Sequence, residues 1–258
     1  MHVSKQASDI EISEYLKCLV YGSWGTGKTW FIGTAPKPLY VLDVDSGMQT
    51  LEGLPQTEYD DYSPNDDPKD LKPLVDLTTK VNELVDDCPY ETVALDSATV
   101  LAQLVKNRII TLNNRWNADN KMRIQDWGVL ADELTEIFSG LQSIDANVII
   151  TGHNRVVLNE DTNAKLYLPL SEAGQSFPQK APLHFDEVYR MVVRKKPGNN
   201  QNDYMVQTES DQQWSCKSRL NYYDPDKNKL VRVFDKYEDA DFSKMLEKVK
   251  KARKRVRA

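Results

Sequence analysis

Cysteine is scarce in this chain: Cys18, Cys88 and Cys216 are the only three among 258 residues. They stand far apart with no CxxC pair, so neither a disulfide framework nor a zinc site is expected. A reducing, cytoplasmic setting is the simplest expectation. No apolar run approaches the ~20 residues that a membrane helix needs. The opening MHVSKQASDIEIS lacks the apolar stretch of a secretory signal, so no membrane partner is expected. Glycine (11) and proline (12) are too few for a collagen-like or low-complexity chain. What remains is 40% hydrophobic and 28% charged, ordinary globular usage, in a chain long enough to bury a substantial core.

Net charge is −6, but unevenly distributed. From Ser243 onward eight basic residues face the single acid Glu247, so this tail carries +7 and the rest of the chain −13. A basic patch on an acidic body can bind a polyanion that the whole molecule would repel.

Hydrophobic patterning predicts strands at Lys17–Tyr21, Leu39–Val44, Thr92–Leu95 and Asn147–Thr151. Helical spacing predicts helices over Asp70–Asp87, with Asp70 as N-cap, and over Thr99–Leu112 and Trp127–Ile144. The strand runs are continuously apolar, as in a parallel sheet covered on both faces. After Asn154 the pattern changes to hairpins, Arg155–Leu158 with Lys165–Leu170 and Glu187–Lys195 with Tyr204–Thr208. A helix over Asp241–Ala258 closes the chain, amphipathic at first and then too basic to pack. The expected architecture is α/β, a mainly parallel sheet flanked by helices with β-hairpins in the C-terminal part. Residues 1–242 form the core and 243–258 a basic helix or tail.

One motif carries chemistry outright. Gly22-Ser23-Trp24-Gly25-Thr26-Gly27-Lys28-Thr29 matches GxxxxGK[ST], with an apolar strand before it and, from Trp30, a helix start after it. Its glycines let successive backbone N–H groups point at phosphates, and a helix N-terminus adds partial positive charge. Lys28 reaches the β- and γ-phosphates of ATP, and the Thr29 hydroxyl ligates Mg²⁺. A second half comes from Asp96, at the end of the apolar Thr92–Leu95 strand, which is the best Mg²⁺ partner for Thr29; its rival role is a helix N-cap. Of the two acids ending the second strand, Asp43 and Asp45, the latter lies nearer the end and is the expected water activator, with capping of the Ser46-Gly47 turn as the alternative. His153 follows the fourth strand, where a polar group can sense the γ-phosphate; the alternative is a structural histidine. Lys217 and Arg219 can stabilise developing phosphate charge, in cis or from a neighbouring subunit, or can simply solubilise a strand edge.

These residues together resemble a known group. GSWGTGKT with KCLVY before it and WFIGTAPKPLYVLDVDSG after it looks like the phage ATP-binding proteins with a RecA-like P-loop NTPase core, of the Sak-four single-strand annealing type. VALDS, VIITGH, FDEVYRM and CKSR follow in the same order, so the resemblance runs from about Leu16 to about Arg219. It implies a Mg²⁺-dependent ATPase that binds single-stranded DNA, assembles as a homo-oligomer and promotes annealing in the host cytoplasm, with a single-strand-binding protein as a further partner. By position, Lys28, Thr29 and Trp30 belong to the nucleotide site, Asp96 to the second nucleotide motif and His153 to the sensor. Asp45 falls at the water activator, often a longer Glu in such proteins. Lys217 and Arg219 resemble the basic pair presented to a neighbour's ATP.

Three segments suit a single strand of DNA: Arg108–Trp127 with Arg115, Trp116, Lys121, Arg123 and Trp127; the loop Arg155–Tyr167; and the basic tail. The competing explanation is a solvated face or core tryptophans, and for the tail an acidic partner protein. Two other function classes share the loop, a small-molecule or nucleotide kinase and a module whose assembly ATP switches. A kinase needs a mobile lid, often arginine-rich, and no such cluster stands out.

Overall fold

In a computed structural model of the chain, residues 14–116, 119–158, 165–196, 198, 201–224 and 227–256 are described. The centre is a nine-stranded sheet. Six strands run parallel: β1 (Lys17–Gly22), β2 (Leu39–Asp43), β3 (Thr57–Asp61), β4 (Thr92–Asp96), the first part of β5 (Asn147–Leu158) and β7 (Glu187–Lys195). The second half of β5 pairs antiparallel with β6 (Lys165–Pro169). Antiparallel β8 (Asn202–Gln207) and β11 (Tyr237–Asp239) extend the far edge, so the order is β11-β8-β7-β1-β5-β4-β2-β3. A separate hairpin joins β9 (Tyr222–Asp224) to β10 (Lys229–Val231).

Strands β1, β2, β4 and the first part of β5 are mostly apolar because both their faces are covered. Successive residues point to opposite sides. Leu19, Tyr21, Leu42, Val93, Leu95, Val148 and Ile150 face one core cluster, built with α2 (Lys72–Asp86), α3 (Ala98–Leu112) and α4 (Asp126–Ser143). Cys18, Val20, Val41, Ala94 and Ile149 face the other, built with α1 (Lys28–Gly33) and the last helix. Two short turns of helix, α5 (Phe177–Lys180) and a 3-10 turn (Ala181–His184), lead back to β7.

Strand β3 escapes the sequence pattern. It is an edge strand of sequence TEYDD, exposed along most of its length, and its acids mask the β signal. The N-cap of α2 is Leu71 and not Asp70, which stands one residue further out, its Oδ1 accepting the Lys72 N–H at 2.9 Å. The fourth predicted strand does not stop at Thr151. It continues without a break through Gly152 and His153 to Leu158, so the sensor position lies within a strand.

The C-terminal helix, α6 (Phe242–Val256), begins at the expected place but is not a loose tail. Phe242, Met245, Leu246 and Val249 are buried in the second core cluster. Phe242 meets Phe31 of α1 edge-on at 5.8 Å, and the Ser243 hydroxyl donates to the Thr34 carbonyl at 2.6 Å. Several of the expected free charges are paired: Lys248 with Glu238 at 2.7 Å, Lys244 with Asp239 at 3.1 Å and Lys251 with Glu247 at 3.8 Å. Lys250, Lys251 and Lys254 remain exposed. At ~1.5–3 kcal/mol per fully buried side chain, deleting the helix from Ser243 would cost on the order of 5 kcal/mol, so a cut at 242/243 separates no independent part.

Candidate nucleotide site

The carboxyl ends of four adjacent strands, β1, β5, β4 and β2, meet along one rim of the sheet. The loop Gly22–Thr29 leaves β1 there and turns directly into α1. Two of its glycines are required by backbone shape: Gly25 and Gly27 have φ of 71° and 84°, a region costly for residues with a Cβ. Thr26 tightens the loop by donating to the Ser23 carbonyl at 2.8 Å, and Ser23 donates to Asn154 on β5 at 3.0 Å.

Lys28 is buried, and its Nζ donates to the loop's own carbonyls, Gly22 O at 3.2 Å and Ser23 O at 3.0 Å. Burial pulls its pKa below the ordinary lysine value, partly opposed by the charges of Asp96 and Asp45. The adjacent Thr29 hydroxyl donates to Asp96 Oδ2 at 2.7 Å. Asp96 therefore faces the loop as expected, rather than capping α3, where Ser97 is the N-cap residue. Its other oxygen, Oδ1, accepts from the hydroxyl of Thr151, a fully buried residue on β5. Thr151 holds the carboxylate and was hidden in the sequence inside the apolar run VIIT. A polar side chain in a buried strand, one strand away from a key acid, is the signal that marks it.

The two acids of β2 have separate positions. Strand β2 ends at Asp43, so strand alternation does not carry both acids to one side. Asp43 is buried, its Oδ1 accepting the N–H groups of Asp45 and Gly47, each at 3.2 Å. Burial raises its pKa above the ordinary carboxylate value. Turn capping thus belongs to Asp43 and leaves the Asp45 carboxylate facing the cleft. Asp45 Oδ2 lies 3.6 Å from His153 Nε2 and accepts from the Ser97 hydroxyl at 3.4 Å. His153 Nδ1 lies 3.4 Å from Lys28 Nζ, while its backbone N–H donates to Thr99 Oγ1 at 2.8 Å. Beside an ammonium, Nδ1 is the acceptor, so the tautomer protonated on Nε2 suits both neighbours. Lys28, Thr29, Asp45, Asp96 and His153 thus line one cleft of about 590 Å³.

Among the described residues no cluster of three or more His, Cys, Asp or Glu side chains suits a metal ion. A hydroxyl and a carboxylate 2.7 Å apart do fit Mg²⁺, which usually takes one or two protein ligands and fills its shell with phosphate oxygens and water. Thr29 and Asp96 would hold it there.

Lys217 and Arg219 do not join this cleft. Lys217 donates to the Pro182 carbonyl at 2.8 Å, and Arg219 pairs with Asp186 at 2.6 Å. Glu187, buried at the start of β7, accepts the Arg219 N–H at 2.8 Å. It is paired with Cys18, four residues before Gly22, so at ~3.3 Å per residue the basic pair sits about 13 Å back along the sheet from the phosphate loop. Neither side chain lines the chain's own cleft. Arg219 is 62% exposed and faces outward.

The first DNA candidate is largely structural. Arg115 forms a buried ion pair with Asp126, which also accepts the Arg123 N–H at 2.6 Å. Trp116 donates to Thr111 Oγ1 at 2.7 Å, and the Trp127 ring sits on Gly174, where a Cβ would come within 2.7 Å of it. Lys121 and Arg123 remain exposed. Breaking a buried pair by removing one partner typically costs ~3–5 kcal/mol. Arg115→Ala is expected to lose about 3 kcal/mol in urea unfolding while leaving the salt dependence of any DNA binding unchanged; unchanged stability would return Arg115 to the surface. Of the second candidate, residues 159–164 lie outside the described residues. Within the rest, Arg155 donates to the Gly174 carbonyl and Tyr167 stacks on Trp214 with centroids 3.9 Å apart.

Residues 14–220, most of the chain, match the AAA domain family. The chain belongs to that family. With the loop, Thr29 and Asp96 in place, this AAA domain is a P-loop ATPase of the AAA/RecA-like type. Its sheet places β5 between the loop strand β1 and the acid strand β4. A KaiC-like protein from the hyperthermophilic archaeon Pyrococcus horikoshii is similar, with a TM-score of 0.38 and 11% identity over 84% of this chain and 88% of that one. Among curated proteins, none matches the AAA domain chain. No described helix of the domain is long and apolar enough to cross a membrane.

Proposed function

We propose that this P-loop ATPase hydrolyses ATP in an oligomer on single-stranded DNA and promotes the annealing of complementary strands. The observation that carries the hydrolytic part is the convergence of Lys28, Thr29, Asp96, Asp45 and His153 on one cleft. Lys28 and the loop amides bind the β- and γ-phosphates. Mg²⁺, when bound at Thr29 and Asp96, neutralises phosphate charge. Asp45 takes a proton from water as its oxygen bonds to the γ-phosphorus and the bond to the β-bridging oxygen breaks, releasing ADP and phosphate. His153, between Lys28 and Asp45, registers whether the γ-phosphate is present.

The oligomeric part rests on Lys217 and Arg219. Both are set back from the chain's own loop, and Arg219 faces outward, which suits service to a neighbour's nucleotide. The DNA part rests on the resemblance carried by GTAPKPLYVLDVDSG and CKSR and on the exposed lysines 250, 251 and 254 of α6. The test is ATP hydrolysis without nucleic acid, with single-stranded and with double-stranded DNA. Stimulation is expected with single strands alone. Replacing Lys250, Lys251 and Lys254 together by glutamine is expected to weaken DNA binding and lower the slope of log affinity against log salt by as much as ~2, at ~0.7 per phosphate contact on a single strand. Turnover indifferent to DNA would discard the recombination reading and favour a kinase or an ATP-switched module.

A further inference from the structure

The cleft has a second, chemically distinct end. Beside the charged group three large aromatic rings, Trp24, Trp30 and Tyr204, also line it, together with Thr50. Trp30 follows Thr29 directly. Its neighbours Lys28 and Phe31 are buried, yet its own indole is 53% exposed. Tyr204 comes from the other side, on β8, with its ring against Gly27, where a Cβ would lie 3.1 Å from Cδ1; the ring is 41% exposed. Neither ring is needed to fill the core. Both adjoin the part of the loop that passes into α1, on the cleft wall that also holds Lys28. Rings of this kind, half in water beside a phosphate site, offer flat apolar surface to a partner that is flat and attached to phosphates.

We propose that this aromatic end is the nucleobase subsite: the base of the nucleoside triphosphate stacks on Trp30 and Tyr204 and is held by ring contact, not by hydrogen bonds that read its edge. The inference rests on the phosphate-loop reading above and adds the class of nucleotide. Among the described side chains, the aromatic residues and Thr50 offer the indole N–H groups, the phenol and one hydroxyl, and no amide or carboxylate. The carboxylates of the cleft, Asp45 and Asp96, are engaged with His153, Ser97, Thr29 and Thr151. A site without amide or carboxylate groups aimed at the base cannot separate adenine from guanine by the ~10⁴-fold that buried hydrogen-bond reading achieves. Stacking instead rewards ring area, which favours purines over pyrimidines.

The test is calorimetric binding of ATP, GTP, CTP and inorganic tripolyphosphate to the full-length protein and to Trp30→Ala, Trp30→Phe, Tyr204→Ala and Tyr204→Phe. Base–aromatic stacking is worth about 1–3 kcal/mol per base by alanine substitution, a factor of roughly 5–100. Each alanine variant is expected to bind ATP at least about 5-fold more weakly, while tripolyphosphate binds as to the wild type and each phenylalanine variant keeps most of the ATP affinity. The wild type is expected to bind ATP and GTP within about 5-fold of each other and CTP more weakly than either. Alanine variants that hold ATP within twofold of wild type would overturn the inference, as would equal losses for ATP and tripolyphosphate or a preference for ATP over GTP of 100-fold or more. Failure of the wild type to bind either ATP or tripolyphosphate would remove the phosphate-loop reading and this inference with it. Tripolyphosphate binding with ATP indifferent to the rings would remove this inference alone.

Discussion

Replacing Lys28 by alanine is expected to reduce ATP turnover at least ~100-fold and to leave the fold intact. The magnitude follows from the environment. A preorganised donor in a water-poor site is worth ~10²–10³ in rate, and Lys28 is 7% exposed, on a loop whose shape is set by two left-handed glycines. The stability half of the prediction follows from the same burial. The lysine pKa is depressed because the protein disfavours its charged form, so removing the charge relieves a cost. Of the carbonyls that lose their donor, Ser23 O belongs to an exposed residue that water can reach, while Gly22 O is buried and its loss offsets part of that relief. The melting temperature of Lys28→Ala is therefore expected to stay close to that of the wild type. Arginine does not substitute: its planar fork is larger than the buried space of an ammonium. Phosphate-release assays and a thermal melt on the same preparations check both halves. Turnover above a tenth of wild type would mean that the loop is not the phosphate site.

The parts of this design that sequence reveals are those whose physics is local. The glycines of the loop, the lysine and the threonine are adjacent in the chain, so their spacing is their geometry. The apolar strands announce themselves because a parallel sheet demands apolar residues on both faces. What stays hidden depends on who is across the sheet. Thr151 reads as the tail of an apolar run, and only the β4–β5 pairing brings it to Asp96. Tyr204 lies 177 residues from Gly27, and β8 has to reach the loop side of the sheet before its ring can pack there. Arg115 and Trp127 carry the composition of a nucleic-acid face, yet Asp126 and Gly174 occupy them. The last helix is legible in part: its amphipathic start is written in the sequence, while the partners of its buried face, Phe31 and Thr34, are set only by the folded molecule. Lys217 and Arg219 stand beyond the reach of either argument, since their expected target belongs to another copy.

The second large effect is expected at Asp45, and its contrast with Asp43 separates chemistry from scaffold two residues apart. Asp45→Asn retains size and hydrogen-bonding capacity but cannot take a proton. A positioned general base contributes ~10²–10⁴, so turnover is expected to fall by that factor while ATP affinity stays within a few-fold of wild type. Asp43→Ala should behave in the opposite order. It strands the N–H group of Gly47, now bonded to a buried carboxylate at 3.2 Å, and leaves the Asp45 N–H only its bond to the Asp96 carbonyl at 3.1 Å, at a cost of about 1–3 kcal/mol in unfolding free energy. Its turnover falls only as far as the loosened turn lets Asp45 drift. Asp43→Asn keeps an acceptor oxygen in place and is expected to recover most of both. Single-turnover phosphate release, ATP binding and urea unfolding on the three variants give each residue its own signature. Should Asp45→Asn keep more than a third of wild-type turnover, water activation lies elsewhere.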